Sequence, residues 1–297
     1  MSFSSEVKKE LCSIETSNVF QMRAQCYGMI LQGVCGPGEI SLTTEKKGTA
    51  MCLAQLMAEL TGVFCDVSNH NRKNQPSSQY YISVPDEDQR KTVLEYFGIQ
   101  PGHDRLDEKI IAGEYASFVR GLFLTGGTVS NPEKDYHLEI IVQNPGLQAG
   151  IISLLDSVSL RPKIIMRASQ CVLYYKDSGH IEDMLTFMGA VNASLQVMEV
   201  KVVKDVRNRM NRITNCETAN IDKTVAASVN QSNAIRKIDS RIGIDSLPED
   251  LREIARLRLE NPEMSLSALA RELSRPISRS GVNHRLKRIC SIADELI

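Results

Sequence analysis

The residues best suited to recognition chemistry lie near the C-terminus, in the segment SLSALARELSRPISRSGVNHRLKRIC at 265–290. After Pro276, polar and basic side chains recur every three or four residues, at Arg279, Ser280, Asn283, His284, Lys287 and Arg288. At helical spacing such residues share one face, and their side-chain donors suit hydrogen bonds to base edges and phosphates. The pattern predicts recognition of double-stranded DNA.

Within this tail we expect different residues to contact the bases and the phosphates. Asn pairs with adenine, and Arg or Lys pairs with guanine or phosphate. The residues predicted nearest the bases are Ser280, Asn283, His284 and Lys287. Those predicted to contact phosphates are Arg275, Ser278, Arg279, Arg285 and Arg288.

A second set of candidates precedes the tail, in a segment without strand-like alternation. Its members are Arg207, Arg209, Asn211, Arg212 and Asn215. They could touch the DNA backbone or dock two domains together. A solvated linker explains the same composition, and the sequence leaves both interpretations open.

The elements that must position the tail residues are short helices. Ser265 can cap one helix and Ser278 the next, on either side of the break that Pro276 imposes. The buried stripe of the last helix would consist of Val282, Leu286 and Ile289.

A further helix is predicted ahead of these two, over the segment LPEDLREIARLRLE, with Asp245 or Ser246 as its cap. The three helices together fit a helix-turn-helix, whose last helix presents its N-terminal residues to base edges. The alternative is a plain three-helix bundle with a solvated basic helix.

Other chemistry has weak support. The eight cysteines show no C-x-x-C spacing and the five histidines do not cluster with them, so we expect neither a zinc site nor a disulfide framework. The acids Glu39, Glu133, Asp135 and Glu139 lie beyond predicted helix ends, and we interpret them as solvated surface. We expect no metal, no cofactor and no small-molecule substrate.

The net charge of −1 conceals an asymmetry along the chain. Residues 201–297 carry 18 Lys and Arg against 13 Asp and Glu, whereas the first 200 residues carry 17 against 23. Bulk charge therefore favours polyanion binding by the C-terminal third. No apolar run approaches the roughly 20 residues that cross a bilayer, and the N-terminus lacks a signal-peptide core. We expect a cytoplasmic protein.

The first 200 residues contain an internal duplication. Residues 23–36 align with 116–129, so that Gly28 falls on Gly121 at an offset of 93 residues. Each repeat, about 20–97 and 113–188, reads helix, strands, helix, two strands, helix, which is an α+β unit.

The leading helix of each repeat carries small residues one turn apart. They are Ala24 and Gly28 in the first repeat, and Gly121 and Thr125 in the second. Small residues let two helix backbones approach closely, so we predict that these helices pair across a pseudo-twofold axis. Incidental glycines in two core helices are the alternative.

Paired helices followed by antiparallel strands resemble the LAGLIDADG homing-endonuclease fold. In that family each helix ends in an acid that holds a divalent metal at the DNA cleavage centre. The resemblance places the acid positions at Gly33 and Gly126, and neither glycine can ligate a metal. It therefore implies a scaffold without a catalytic residue.

The whole chain resembles the WhiA family of bacterial regulators, most distinctively in the runs NRMNRITNCETANIDKTVAA and SLSALARELSRPISRSGVNHRLKRI. The resemblance implies an α+β fold, a duplicated LAGLIDADG-like αββαββα domain with pseudo-twofold symmetry, followed by an all-α helix-turn-helix domain. The expected ranges are 1–200 for the first domain, 201–244 for a helical basic linker and 245–297 for the DNA-binding domain.

The resemblance also implies a non-enzymatic transcriptional regulator acting in cell division and chromosome segregation, or in sporulation where the host sporulates. Two alternatives remain. One is a nucleoid-associated or protein-docking factor with nonspecific DNA binding. The other is a residual metal-dependent endonuclease that uses displaced acids such as Glu39 and Glu139.

Overall fold

A computed structural model describes residues 2–70, 79–100, 105–167 and 170–296. They form two compact units, Met1–Lys204 and Asp205–Ile297. Residues 71–78 and 168–169, which belong to the predicted repeats, lie outside the described residues. Among the described helices, none combines the length and the apolar composition that a bilayer span requires.

The first unit begins with helix α1 (Phe3–Cys12), followed by two copies of one pattern. The first copy consists of α2 (Val19–Ile30), β1 (Val34–Cys35), β2 (Ile40–Thr44), α3 (Lys47–Thr61), β3 (Asp66–His70), β4 (Gln79–Ser83) and α4 (Glu87–Tyr96). A short helix, α5 (Glu108–Ile111), connects the copies. The second copy consists of α6 (Tyr115–Gly126), β5 (Gly127–Val129), β6 (Leu138–Val142), α7 (Gln148–Ser157), β7 (Lys163–Arg167), β8 (Gln170–Tyr175) and α8 (Ser178–Met188). The predicted αββαββα order is confirmed in both copies.

Each copy forms a four-stranded antiparallel sheet, in the orders β1-β2-β4-β3 and β5-β6-β8-β7. Strand β6 alternates in burial, with Leu138, Ile140 and Val142 buried in the core and the two residues between them half-buried. The edge strands β1 and β5 have two and three residues, which is too short to leave an alternating pattern in the sequence.

Helices α2 and α6 pack backbone against backbone. A Cβ atom added at Gly28 would lie 2.3 Å from the carbonyl oxygen of Phe118, and one added at Gly121 would lie 2.1 Å from that of Gln25. Phe118 follows Gln25 by 93 residues, so the two contacts are related by the same offset as the glycines. The predicted helix pair and its pseudo-twofold symmetry are confirmed.

One long helix, α9 (Val191–Ile242), contributes residues to both units. The predicted linker of 201–244 therefore lies almost entirely within this helix. Its last turns belong to the core of the second unit, where Ile235 and Ile238 are fully buried.

The second unit is completed by three helices, α10 (Glu249–Glu260), α11 (Leu266–Glu272) and α12 (Arg279–Glu295). They pack on the end of α9 around an apolar core that includes Leu251, Ile254, Leu269, Leu286 and Ile289. Burial of these stripes, rather than helix propensity, holds such short helices.

The predicted cap of α10 is wrong. Pro248 occupies the cap position, and no side chain caps the helix. Asp245 instead pairs with Arg256, and the Ser246 hydroxyl donates to the Gly243 carbonyl oxygen at 2.6 Å. Both side chains therefore bond within the turn that precedes Pro248 and do not cap the helix. Proline has a fixed φ that suits the start of a helix.

Candidate nucleic-acid interface

Two serine caps define the helices of the candidate interface. Ser265 accepts a hydrogen bond from the backbone nitrogen of Ala268 at 3.2 Å, and Ser278 accepts one from that of Gly281 at 3.1 Å. Each satisfies a backbone donor that has no partner within its helix. Both predicted caps are confirmed.

The turn between α11 and α12, residues 273–278, is fixed from two sides. Ser274 donates through its backbone nitrogen and its hydroxyl to the carboxylate of Glu253 on α10. The backbone nitrogen of Ile277 donates to the carbonyl oxygen of Ala270 at 3.3 Å, and Leu273 is buried. The start of α12 is therefore positioned by contacts with both preceding helices.

A buried arginine that the sequence analysis missed holds the connection between α10 and α11. Arg258 is 2% exposed, and its Nη1 donates to the carbonyl oxygens of Met264 at 2.8 Å, Pro262 at 3.2 Å and Asn261 at 3.5 Å. Burial lowers the pKa of this guanidinium. Its burial could have been predicted from the sequence, because Arg258 lies four residues after Ile254 and so shares the apolar stripe of α10.

Helix α12 has a buried side and an open side. Its inner stripe is the predicted one, because Val282, Leu286 and Ile289 are fully buried. The candidate contact residues that are exposed are Arg275, Ser278, Arg279, Ser280, His284, Lys287 and Arg288. Those that are half-buried are Asn283 and Arg285.

The four predicted base-contacting residues lie on one side of α12. At 3.6 residues per turn, Ser280, Asn283, His284 and Lys287 fall within an arc of about 100° opposite the buried stripe. Arg285 lies outside this arc, and its Nε is 3.9 Å from the Asp250 carboxylate of α10. Helix α12 therefore places the four predicted base-contacting residues together and directs Arg285 toward α10.

The basic residues around this face are not neutralised by acidic side chains of the described residues. Within the described part of the chain, no ion pair is formed by Arg275, Arg279, Lys287 or Arg288. Cations without a protein partner are available to neutralise phosphates and to release condensed counterions. The surface has the charge and the donors that a DNA groove requires.

The second set of candidates, on α9, divides between two sides of the helix. Arg207, Asn211 and Asn215 recur at four-residue intervals and therefore share one side. Arg209 and Arg212 lie on another side, and all five are exposed. One DNA-contacting side of α9 would therefore not include all five residues.

The Ser278 cap allows helix stability to be separated from DNA contact. Ser278→Ala removes the cap, so we expect the free energy of unfolding of the second unit to fall by about 1 kcal/mol. Ser278→Asp keeps a capping carboxylate but adds negative charge beside the proposed phosphate contacts, so we expect stability to be retained and DNA affinity to fall. Far-UV circular dichroism during urea unfolding and fluorescence anisotropy with labelled duplex measure the two effects. Equal DNA affinity of Ser278→Asp and wild type would contradict the placement of Ser278 near phosphate.

The ends of α2 and α6 have no room for metal-binding acids. Gly33 follows α2, and a Cβ atom there would lie 2.2 Å from the carbonyl oxygen of Ser41. Gly126 ends α6, and its Cβ atom would lie 2.7 Å from that of Ile141. Gln32, which is 7% exposed, fills the space by donating to the same Ile141 oxygen at 2.8 Å. These residues do not fit a divalent metal, and the described residues contain no group of three or more His, Cys, Asp or Glu that could hold one.

The displaced acids are engaged in separate local contacts. Glu39 accepts hydrogen bonds from Ser41 at 2.6 Å and from Tyr81 at 2.9 Å, which lower its pKa. Glu139, interpreted above as solvated surface, is instead half-buried on the other sheet, where it contacts Arg167 at 3.0 Å and His137 at 3.1 Å. Each acid is thus held within its own sheet by neighbouring donors.

Comparison with known proteins agrees with this architecture. The family model of the WhiA C-terminal HTH domain matches residues 210–293, and that of the WhiA LAGLIDADG-like domain matches residues 115–207. Proteins named "Probable cell division protein WhiA" are 37% identical in Thermoanaerobacter pseudethanolicus and 33% identical in Clostridium acetobutylicum, each across 100% of this chain and 98% of the relative. The crystal structure of full-length DUF199/WhiA from Thermatoga maritima superposes with a TM-score of 0.59 at 27% identity, covering 99% of this chain and 98% of that one. The chain belongs to the WhiA family.

Proposed function

We propose that this chain is a sequence-specific DNA-binding transcriptional regulator that acts in cell division. The observation that carries the proposal is the open side of α12, where Ser280, Asn283, His284 and Lys287 lie together on a helix whose N-terminus is capped by Ser278. A recognition helix presents the same features to the major groove. The names of the relatives support the connection to cell division.

In this proposal the parts of the chain have different tasks. Residues 245–297 read DNA sequence, and Arg275, Arg279 and Arg288 fix the register through phosphates. Residues 201–244 add backbone contacts or dock the domains. Residues 1–200 are a LAGLIDADG-like scaffold without nuclease activity, since the acid positions are glycines with no space for a side chain. Roles in chromosome segregation and sporulation, and residence at the nucleoid in the cytoplasm, belong to the same proposal.

The test is DNA affinity of the full chain after Asn283→Ala. A bidentate amide–adenine contact contributes about 1–3 kcal/mol of discrimination, so we expect specific affinity to fall by about 5- to 150-fold while nonspecific affinity is unchanged. Fluorescence anisotropy on a selected duplex and on a scrambled duplex, over a series of salt concentrations, measures both. In the same samples with magnesium, we expect the DNA to remain intact.

Ser291→Ala is the matched control, because Ser291 is exposed on the same side of α12 but lies two turns beyond Asn283. We expect it to bind both duplexes as wild type does. Undiminished specific binding by Asn283→Ala would remove this residue from the interface. Equal affinity of wild type for the two duplexes would favour a nonspecific nucleoid-associated factor, since specific binders usually exceed a ratio of roughly 10³.

A further inference from the structure

A polar pocket lies beside the end of α6 in the first unit, at a place that the proposed function does not use. Its volume is about 410 Å³, within the range of pockets that enclose small molecules. Five separate parts of the chain line it: the first turns of α1, the β2–α3 corner, the start of β4, the junction of α6 with β5, and the end of β6. The residues relevant to its chemistry are Ser4, Lys8, Thr43, Lys46, Gly126 and Thr128.

Two lysines and one carboxylate leave this pocket with a net positive charge, because Lys8 and Lys46 line it together with Glu45. Lys8 projects from α1 and Lys46 from the residue before α3, and within the described residues neither forms an ion pair. Burial, followed by the charge of Lys46, lowers the pKa of Lys8 to about 8. Glu45 and Cys12 oppose this shift without cancelling it. A half-buried ammonium beside a second ammonium is stabilised when an anion enters.

Neutral donors line the same pocket as the two lysines. The first intrahelical bonds of α1 come from the backbone nitrogens of Ser5 and Glu6, so the preceding N–H groups have no acceptor within the helix. The Ser4 hydroxyl oxygen accepts from the backbone nitrogen of Val129 at 3.3 Å, which leaves its hydrogen for another acceptor. Ser4 and Lys8 are four residues apart and share one side of α1. The positive end of the helix dipole adds to the same field.

The pocket side chains carry a net positive charge, whereas the side chains of a metal site carry a negative charge. Where the resembled endonucleases place carboxylates around a cation, this chain has Gly126 and, beside it, two lysines. Two positive charges with several N–H and O–H donors match a group that has more than one negative charge and several acceptor oxygens, as a phosphate does.

We propose that this pocket binds the phosphate groups of a small anionic metabolite, such as a nucleoside di- or triphosphate. A small ligand fits better than the DNA backbone for two reasons. The pocket is concave and of metabolite size. The first 200 residues also carry 17 basic against 23 acidic side chains, which opposes the approach of a polyanion.

Isothermal titration of the full chain with ATP, pyrophosphate and adenosine tests this proposal. We expect ATP and pyrophosphate to bind and adenosine not to bind. Lys8→Gln and Lys46→Gln are each expected to weaken ATP binding by about tenfold or more, because each removes a charge-assisted hydrogen bond. Lys9→Gln and Lys47→Gln are the matched controls, since each removes an exposed lysine next to a pocket lysine, and they should stay within about twofold of wild type.

Thermal unfolding keeps the test valid if one variant is destabilised. ATP should raise the unfolding temperature of wild type and of both controls by more than that of either pocket variant, and Lys46 lies outside the helix that holds Lys8. Absence of binding by all three probes would overturn the proposal, as would equal losses in pocket and control variants. If Lys8→Gln and Lys46→Gln lower duplex DNA affinity and leave ATP binding unchanged, the pocket takes a backbone phosphate and the metabolite proposal is wrong.

Discussion

Alanine in place of Gly121 is expected to lower the free energy of unfolding of the first unit by about 3 kcal/mol, at the upper end of the usual range for overpacking. The added Cβ atom would lie 2.1 Å from the carbonyl oxygen of Gln25 and 3.0 Å from the backbone nitrogen of Met29. Both are backbone atoms of α2, so no side-chain rotation relieves the overlap. The two helices must separate, and the closely packed residues around them lose contact.

Urea unfolding of the full chain, followed by tyrosine fluorescence, measures this effect without interference from the second unit. All eight tyrosines lie in the first unit, and the chain has no tryptophan. Gly48→Ala is the matched control, because Gly48 lies in α3 with nothing within 4 Å of an added Cβ atom. We expect that change to stabilise the unit by roughly 0.5–1 kcal/mol through helix propensity. Coincident curves for Gly121→Ala and wild type would contradict the close approach of α2 and α6.

Methionine in place of Arg258 is expected to lower the free energy of unfolding of the second unit by about 3 kcal/mol. The change keeps most of the apolar stem but removes the guanidinium that donates to three carbonyl oxygens between α10 and α11. The Met264 oxygen then loses its guanidinium donor, whereas the Pro262 oxygen keeps the Ser228 hydroxyl and the Asn261 oxygen keeps the backbone nitrogen of Met264. Because α11 begins two residues after Met264, the position of the helix-turn-helix depends on this contact.

Far-UV circular dichroism during urea unfolding follows this variant, with tyrosine fluorescence as an internal reference. The last aromatic residue of the chain is Phe187, so the fluorescence transition reports the first unit and should not move. Arg256→Met is the matched control, since Arg256 is exposed and its partner among the described residues is Asp245 in the preceding turn. Its effect should stay below about 1 kcal/mol. A similar loss in both variants would show that burial of Arg258 adds nothing.

The sequence by itself determined the features that depend on neighbouring residues. The duplication at 93 residues, the caps Ser265 and Ser278, and the buried stripe of α12 were all predicted, because capping and helical periodicity act within one or two turns. The glycines at 33 and 126 also indicated in advance that the acids of the resembled fold are missing.

Tertiary structure decided what depends on residues far apart in the chain. The reciprocal contacts of Gly28 and Gly121 require both repeats, and the two-residue strand β1 exists only because β2 pairs with it. Two local interactions compete for the Asp245 carboxylate, which pairs with Arg256 and does not cap α10. Lys8 and Lys46 are 38 positions apart and meet in one pocket because α1 packs beside the β2–α3 corner. Hydrophobic periodicity predicts which face of an element is buried, but the partner of that face is chosen by the path of the whole chain.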